Sequence, residues 1–311
     1  MNTPSVTVSE LPLAPQAAAP APAAATRPLY WSVRRELWEN RSLYLAPLAV
    51  AAVVLFGFSI STLTLPRRMR ALPALDPAKQ HAAVALPYSV VAALLLLTAL
   101  LVGVFYCLDA LHGERRDRSI LFWKSLPVSD LTTVLAKASM PLVLLPALTF
   151  AIIVAAQLMM LALSTAVLLG NGASVAALWA QLPLFKMSLA LLYALTAMAL
   201  WHAPVYGWLL LVSGWARRAT FIWAVLPPLA VCVVEKLAFS TTHVANLLGY
   251  RLIGCFTQGF DFKARQTGAV DPLAQITPGR LLSSPGLWLG LVAATVFLAA
   301  AIRLRRYREP I

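Results

Sequence analysis

The sequence predicts an all-α, polytopic membrane protein with six transmembrane helices and an N-terminal interfacial helix. The first observation is composition: 60% of the 311 residues are hydrophobic and only 12% are charged, whereas soluble proteins carry about 25% charged residues. The second is a series of six apolar stretches of roughly the 20 residues that a membrane-spanning helix needs. The third is the clustering of basic residues between alternate stretches. Together these observations exclude a disordered chain, a secreted disulfide scaffold and an ordinary cytosolic enzyme.

The charge-free windows locate the spans. Residues 138–185 contain no charge over 48 positions, which is too long for one helix, and Gly170-Asn171-Gly172 divides this window. The fifth span begins at Ala219 and must continue past Glu235 and Lys236 to reach bilayer thickness. The predicted spans are 43–65, 84–108, 140–168, 187–212, 219–240 and 284–303. They form one domain over residues 30–308, and the Ala- and Pro-rich residues 1–29 are predicted to be a disordered tail.

The basic residues predict the orientation of the spans. With the N-terminus inside, the inner segments hold 15 of the 25 Lys and Arg residues, namely Arg27, Arg34, Arg35, Arg41, Arg115, Arg116, Arg118, Lys124, Lys137, Arg217, Arg218, Arg303, Arg305, Arg306 and Arg308. Both termini are therefore predicted to be cytoplasmic, although Arg67, Arg68 and Arg70 lie just outside the first span and oppose this bias. A net charge of +13 would suggest nucleic acid in a soluble chain, but here it marks orientation, and no nucleic-acid partner is expected.

An amphipathic stretch, residues 30–42, precedes the first span. Its apolar arc holds Tyr30, Trp31, Val33, Leu37 and Trp38, and its polar arc holds Ser32, Arg35, Glu36, Glu39 and Asn40. Arg34 and Arg41 interrupt the apolar arc, where long basic side chains can reach lipid phosphates. The pattern indicates an interfacial helix along the inner leaflet and the bilayer as a partner, with Trp31, Arg34, Arg35, Trp38 and Arg41 as its candidate residues. The alternative is a plain positive flank of the first span.

The inner segment 109–137 is dense in charge, becomes apolar at Ile120-Leu121-Phe122-Trp123, and breaks at Pro127. Ser129 is predicted to be the N-cap of the next helix, with Asp130 in its first turn. A charged projection with a short apolar helix is suited to docking a soluble partner, whereas the alternative is a solvated loop that only enforces topology. The candidate docking residues are Glu114, Arg115, Arg116, Asp117, Arg118, Phe122, Trp123, Ser125, Leu126, Pro127, Val128, Ser129 and Asp130.

This segment resembles the coupling region of ABC-2 type transporter permeases, in which an acidic residue is followed by a short helix and a Pro-[Val/Leu]-Ser turn. Here the acidic residue is Glu114, the short helix is 121–124, and the turn is Ser125-Leu126-Pro127-Val128-Ser129. The stretch Arg34-Arg35-Glu36-Leu37 is similar to the connecting helix of that family. Six spans with both ends inside also fit the family, so the resemblance in layout covers residues 30–308.

The resemblance implies a permease subunit of a bacterial inner-membrane ABC exporter that forms a homodimer or heterodimer. ATP and Mg would be bound by a separate ABC ATPase subunit, because this chain has no G-x-x-x-x-G-K-[ST] loop. We therefore expect no enzyme activity, no catalytic residues, no cofactor and no metal in this chain. The alternatives are a secondary transporter driven by an ion gradient and a membrane scaffold that transports nothing. An intramembrane hydrolase is disfavoured because H-E-x-x-H and G-x-S-x-G are absent.

Polar and aromatic residues in the last three spans suggest further sites. Trp201, His202 and Tyr206 form a possible substrate path, although a neutral His202 that makes one hydrogen bond across the bundle is the simpler interpretation. Pro204 and Gly207 permit a kink and a close helix approach in the same span. Two further predictions concern the outer side: a local Glu235–Lys236 pair, and a re-entrant segment at 244–256 that Gly254 and Gly259 make breakable.

Overall fold

The computed structural model describes residues 27–74, 76–125, 128–172, 174–261 and 271–307, and it confirms the all-α fold class. In these ranges the only strand-like pairing is an isolated bridge between Phe260 and Ile276. Six helical runs are long and apolar enough to cross a membrane: Ser42–Ala74, Lys79–Arg116, Asp130–Gly170, Leu178–Trp215, Thr220–Phe239 and Pro285–Tyr307. The prediction of six spans is thus confirmed. Most runs exceed the predicted windows, because the helices continue into charged ends that a charge-free criterion leaves out.

The described helices, in chain order, are α1 Pro28–Glu39, α2 Ser42–Ser61, α3 Leu65–Ala71, α4 Pro77–Ala110, α5 His112–Arg116, α6 Ser119–Ser125, α7 Asp130–Ser139, α8 Leu145–Gly170, α9 Ala176–Gln181, α10 Leu184–Trp215, α11 Thr220–Phe239, α12 His243–Gly259, α13 Pro278–Ser283 and α14 Pro285–Tyr307. Of the predicted disordered tail 1–29, residues 1–26 lie outside the described residues, and its last two residues, Pro28 and Leu29, belong instead to α1. Pro28 begins α1, because the first turn of a helix does not need the N–H that proline lacks.

The helix α1 turns its polar arc towards the protein. Ser32 and Glu36 are buried, whereas Trp31 and Trp38 on the other arc are exposed. The helix stops where the Asn40 side chain donates to the Glu36 carbonyl oxygen at 3.0 Å, and α2 starts at Ser42. The predicted helix is therefore present, but its predicted apolar arc is divided: the aromatic residues Tyr30, Trp31 and Trp38 are exposed, whereas Val33 and Leu37 pack against the bundle.

The third span is irregular near its N-terminal end. Ser129 is the N-cap of α7, because its Oγ accepts the Thr132 backbone N–H at 3.1 Å, as predicted. Between α7 and α8, residues Met140–Leu144 form a π-helical turn. Pro141 within this turn has no N–H to give to a carbonyl one turn earlier, which favours a departure from α-helical bonding. The span ends at Gly170, where the sequence predicted the break.

The helix α10 packs along α14. A Cβ placed on Gly207 would lie 3.3 Å from the Ala294 carbonyl oxygen and 3.3 Å from Phe297 Cβ, so glycine permits the close approach predicted there. On the far side of the bundle, α12 runs without interruption through Gly254, which the sequence suggested as a breaking point. Gly254 instead lies against Trp201 of α10.

The predicted Glu235–Lys236 pair is wrong for the described part of the chain. The Glu235 carboxylate accepts the backbone N–H groups of His243 at 2.7 Å and Val244 at 2.8 Å, and the Thr241 hydroxyl at 2.7 Å. The first N–H groups of a helix have no partner inside the helix and attract a carboxylate. Glu235 of α11 therefore caps α12.

Candidate functional site

Six charged side chains meet at the end of the bundle where α1, α5, α7 and α14 converge. This ion-pair cluster consists of Arg35, Glu36, Glu114, Asp130, Lys137 and Arg305. It contains three acids and three bases, and the half-exposed Glu39 lies at its edge, 3.6 Å from Arg35. Four of its members expose less than a tenth of their side chains, and so much buried charge is stable only when it is closely paired.

Glu36 occupies the centre of the cluster and exposes 1% of its side chain. Its Oε1 accepts from Lys137 Nζ at 2.8 Å and from Arg35 Nη2 at 2.8 Å. Its Oε2 accepts the Tyr106 hydroxyl of α4 at 2.9 Å. Burial by itself would raise the pKa of the Glu36 carboxyl, but Lys137 and Arg35 outweigh burial and hold that pKa below its ordinary value.

Glu114 links the cluster to the docking segment predicted from the sequence. Its Oε1 lies 3.1 Å from Lys137 Nζ and 3.4 Å from Arg35 Nη2. Its Oε2 accepts from Arg305 Nη2 of α14 at 3.3 Å, and Arg305 also binds Asp130 in the first turn of α7. Glu114 thereby connects α5 with α1, α7 and α14.

A second set of contacts fastens the same segment to α10. Ser213 Oγ accepts the backbone N–H groups of Leu111 at 3.0 Å and His112 at 2.9 Å. The buried Arg115 donates from Nη1 to the carbonyl oxygens of Gly214 at 2.9 Å and Ala216 at 3.2 Å. A cation at these final carbonyls satisfies acceptors that the helix itself leaves open. Arg115 is therefore an anchor of the segment and is not part of its exposed surface.

The helix α6 has one anchored side and one exposed side. Ile120 is buried, whereas Leu121 is 58% and Phe122 is 60% exposed. The Trp123 ring lies under the Arg35 guanidinium, 3.7 Å from ring centroid to Cζ, and so packs against the cluster. Three exposed residues end α5 and form the tight turn after it, namely Arg116, Asp117 and Arg118, the last with φ of 56°. Leu126 and Pro127 lie outside the described residues.

The proposed substrate-path residues Trp201, His202 and Tyr206 are buried between helices. Trp201 Nε1 donates to the Arg251 carbonyl oxygen of α12 at 3.0 Å. His202 makes two contacts where the sequence favoured one: Nδ1 lies 2.9 Å from the Met198 carbonyl oxygen, and Nε2 lies 3.2 Å from the Leu252 carbonyl oxygen. These two residues thus fasten α12 to α10.

Tyr206 packs elsewhere in the bundle. It borders a small apolar cavity of about 20 Å³, which is also lined by Pro141, Leu145 and Pro146 of the third span. Its ring lies 3.2 Å from the position that a Cβ on Gly103 would occupy. The predicted trio therefore divides between two different contacts.

Four members of the site are not among the residues predicted from the sequence: Glu36, Lys137, Arg305 and Tyr106. A local signal existed for three of them, because Glu36, Lys137 and Arg305 stand at the ends of apolar helices on the same predicted side. Charges in that position need partners when they are buried. Nothing in the local sequence indicates which acid meets which base, because Lys137 and Glu36 are 101 residues apart.

Within the described ranges, no group of three or more His, Cys, Asp or Glu side chains is placed to hold a metal ion. No protein-family model matches the sequence, and no curated protein matches it. The chain is a polytopic, all-α membrane protein. The features that indicate a more specific role are the ion-pair cluster and the α5–α6 segment, which Glu114 joins to it.

Proposed function

We propose that this chain is the membrane-spanning permease subunit of an ABC transporter in the bacterial inner membrane. It would export a substrate with ATP that a separate subunit binds with Mg and hydrolyses. The observation that carries the proposal is the ion-pair cluster, because it joins the short α5–α6 segment to α1, α7 and α14 by buried charges. A loop that only enforces topology has no need of such connections.

The exposed Leu121 and Phe122 of α6 supply the apolar contact with the ATPase, and the charged turn 116–118 beside them supplies orientation. These features also match the resemblance of Glu114–Asp130 to the coupling region of ABC-2 type permeases. We infer that two copies of this chain, or this chain and a related one, form the transport unit with two ATPase subunits.

The cluster provides a path for movement. When ATP closes the two ATPase subunits, the α5–α6 segment is displaced, and Glu114 passes the displacement to Arg305 of α14 and Lys137 of α7. The π-helical turn Met140–Leu144 begins three residues after Lys137. Such π-helical turns are frequent at functional sites, and this one lies at the junction of α7 and α8. Rocking of α7 against α8 would then alternate access to the two sides of the membrane.

The test is a complex between this chain and its candidate P-loop ATPase, reconstituted into proteoliposomes. Phe122→Ala should weaken the complex about 10- to 30-fold, as expected for an aromatic residue central to an interface. Phe185→Ala is the matched control, because Phe185 is 82% exposed near the start of α10, at the opposite end of that helix from the Arg115 contacts. The measurements are binding affinity and ATP hydrolysis stimulated by the permease.

Two outcomes would overturn the proposal. In the first, no P-loop ATPase binds, and an ion gradient drives transport in proteoliposomes without ATP, which would identify a secondary transporter. In the second, neither ATP nor a gradient drives transport, which would identify a scaffold. Glu114→Ala adds a further check, since it should reduce coupled ATP hydrolysis more than it reduces binding.

A further inference from the structure

Arg34 and Arg35 are adjacent in α1 but have opposite environments. The Arg35 guanidinium lies within 4 Å of three carboxylates, those of Glu36, Glu39 and Glu114. Arg34 makes no ion pair with any carboxylate in the described part of the chain. Its Cζ instead lies 5.4 Å from the Trp31 ring centroid and 4.7 Å from the Trp38 ring centroid.

The Arg34 guanidinium lies over both indole rings. Trp31 stands three residues before Arg34 and Trp38 four residues after it, which puts all three on one helix face. Contacts with aromatic rings engage the faces of a guanidinium, whereas its N–H donors point outward from its edge. That edge matches two oxygens of a phosphate group, which it can bind by parallel hydrogen bonds.

The surroundings of Arg34 are those of a membrane surface. Trp31 and Trp38 are 55% and 65% exposed, and α1 ends just before the first span begins at Ser42. Tryptophan is enriched at the boundary between membrane and water, where its ring meets the headgroups. The opposite arc of α1 is fixed to the protein through Glu36, so the aromatic arc cannot turn inward.

The charge around Arg34 favours an anionic lipid over a zwitterionic one. Arg27 and Arg41 are exposed seven residues to either side of it, and neither pairs with a carboxylate among the described residues. The two acids of α1 are engaged elsewhere, Glu36 by Lys137 and Glu39 by Arg35. The outward face of α1 therefore carries uncompensated positive charge, which repels the amine of a zwitterionic headgroup.

We propose that Arg34, clamped between Trp31 and Trp38, is a binding site for the phosphate of an anionic glycerophospholipid. The phosphate accepts from the guanidinium edge, and the acyl chains lie beside the exposed indoles. This site is independent of the proposed ATPase partner.

The experiment is native mass spectrometry of the full chain from micelles that contain equal amounts of phosphatidylglycerol and phosphatidylcholine. We expect phosphatidylglycerol to be retained preferentially, and Arg34→Gln to lower its apparent affinity about fivefold. Arg218→Gln is the matched control, because it removes the same charge from an exposed position outside α1. The double variant Trp31→Leu, Trp38→Leu keeps the charge and should also lose the preference, and thermal unfolding of each variant verifies the fold.

Four results of the lipid-binding measurements would overturn the proposal. They are equal retention of the two lipids, an equal loss in the Arg34 and Arg218 variants, full preference in the double tryptophan variant, and displacement of the lipid by inorganic phosphate at the same concentration. The last would show that the site takes a free anion. If Arg34→Gln abolished binding of an ATPase and left lipid retention unchanged, the occupant would be an acidic protein surface, which also contradicts the proposal.

Discussion

At the scale of single residues, Glu36 holds the ion-pair cluster together. It is the cluster acid with the least exposed side chain, and it receives hydrogen bonds from α1, α4 and α7. Removing one member of a buried ion pair leaves the other charge without compensation in a medium that solvates it poorly. The stability of this end of the bundle therefore depends on the Glu36 carboxylate.

Glu36→Gln should lower the free energy of unfolding by about 3–5 kcal/mol, because Lys137 would keep its buried charge and lose its nearer acid. The measurement is unfolding in mixed micelles with increasing SDS. Glu39→Gln on the same helix is the control and should change the free energy by about 0.5 kcal/mol or less, since Glu39 is half exposed. Equal effects of the two substitutions would contradict the role assigned to Glu36.

The same residue makes a prediction about pH. The pKa of Glu36 is lowered in the fold from its ordinary value of 4.5, so its stabilising effect is complete above that value and is lost as pH falls through the folded pKa. The difference in unfolding free energy between the native chain and Glu36→Gln should be constant from about pH 8 to pH 5 and shrink below 4.5.

Glu39 should behave in the opposite way. Burial raises the pKa of its carboxyl, so the ionised form opposes folding, and this effect is relieved as pH falls through the raised value.

The pH prediction for Glu36 would be contradicted if the difference in unfolding free energy between the native chain and Glu36→Gln already declined between pH 7 and pH 6. Such a decline would show that the cluster does not hold Glu36 ionised.

At the scale of elements, α12 depends on one glycine for its contact with α10. A Cβ on Gly254 would lie 2.7 Å from Cζ2 of the fully buried Trp201, so no side chain fits without movement of α12. Gly249 of the same helix has nothing within 4 Å of the corresponding position. The two glycines are a matched pair in which only the packing differs.

Gly254→Ala should destabilise the protein by about 1–3 kcal/mol through overpacking. Gly249→Ala should stabilise it by up to about 1 kcal/mol, because alanine favours the helix and crowds nothing. Thermal unfolding of the two variants in one detergent tests the difference in sign. A stabilising Gly254→Ala would mean that α12 does not pack on Trp201.

At the scale of the whole molecule, contacts within the cluster place the beginning of the first span and the end of the sixth span on the same side of the bundle. Arg35 precedes the first span, Arg305 lies near the end of the sixth, and both contact Glu114 near the end of the second. This agrees with an even number of spans. The basic residues predict that this side is cytoplasmic.

A cysteine-labelling experiment tests that orientation. In intact cells, a membrane-impermeant maleimide should label Asn171→Cys, in the turn after α8, and should leave Arg118→Cys, in the turn after α5, unlabelled until the cells are opened. The native Cys107 and Cys255 are buried, and the partly exposed Cys232 is replaced by alanine to remove background labelling. If Arg118→Cys were labelled in intact cells and Asn171→Cys were not, the orientation would be the opposite of the one predicted.

The fold was largely predictable from the sequence, whereas the site was predictable only in part. Charge-free windows locate spans because the bilayer excludes charge, and local chemistry located the Ser129 cap and the break at Gly170. The same windows stop short of the charged ends, where the cluster lies. Two contacts could not be predicted in this way: Glu235 caps α12, and Arg115 is anchored on α10. Both depend on which helices are neighbours in the fold, and the hydrophobic periodicity of a single helix does not contain that information.

The ion-pair cluster also has a consequence for biosynthesis. Arg305 reaches Glu114 across 191 residues of chain and is supplied by the last helix. Until that helix has been inserted, Glu114 and Asp130 lack one of their bases, and the cluster carries an excess of negative charge. Neutralisation of the cluster thus waits for insertion of α14, so an intact cluster reports that this sixth apolar helix has entered the membrane.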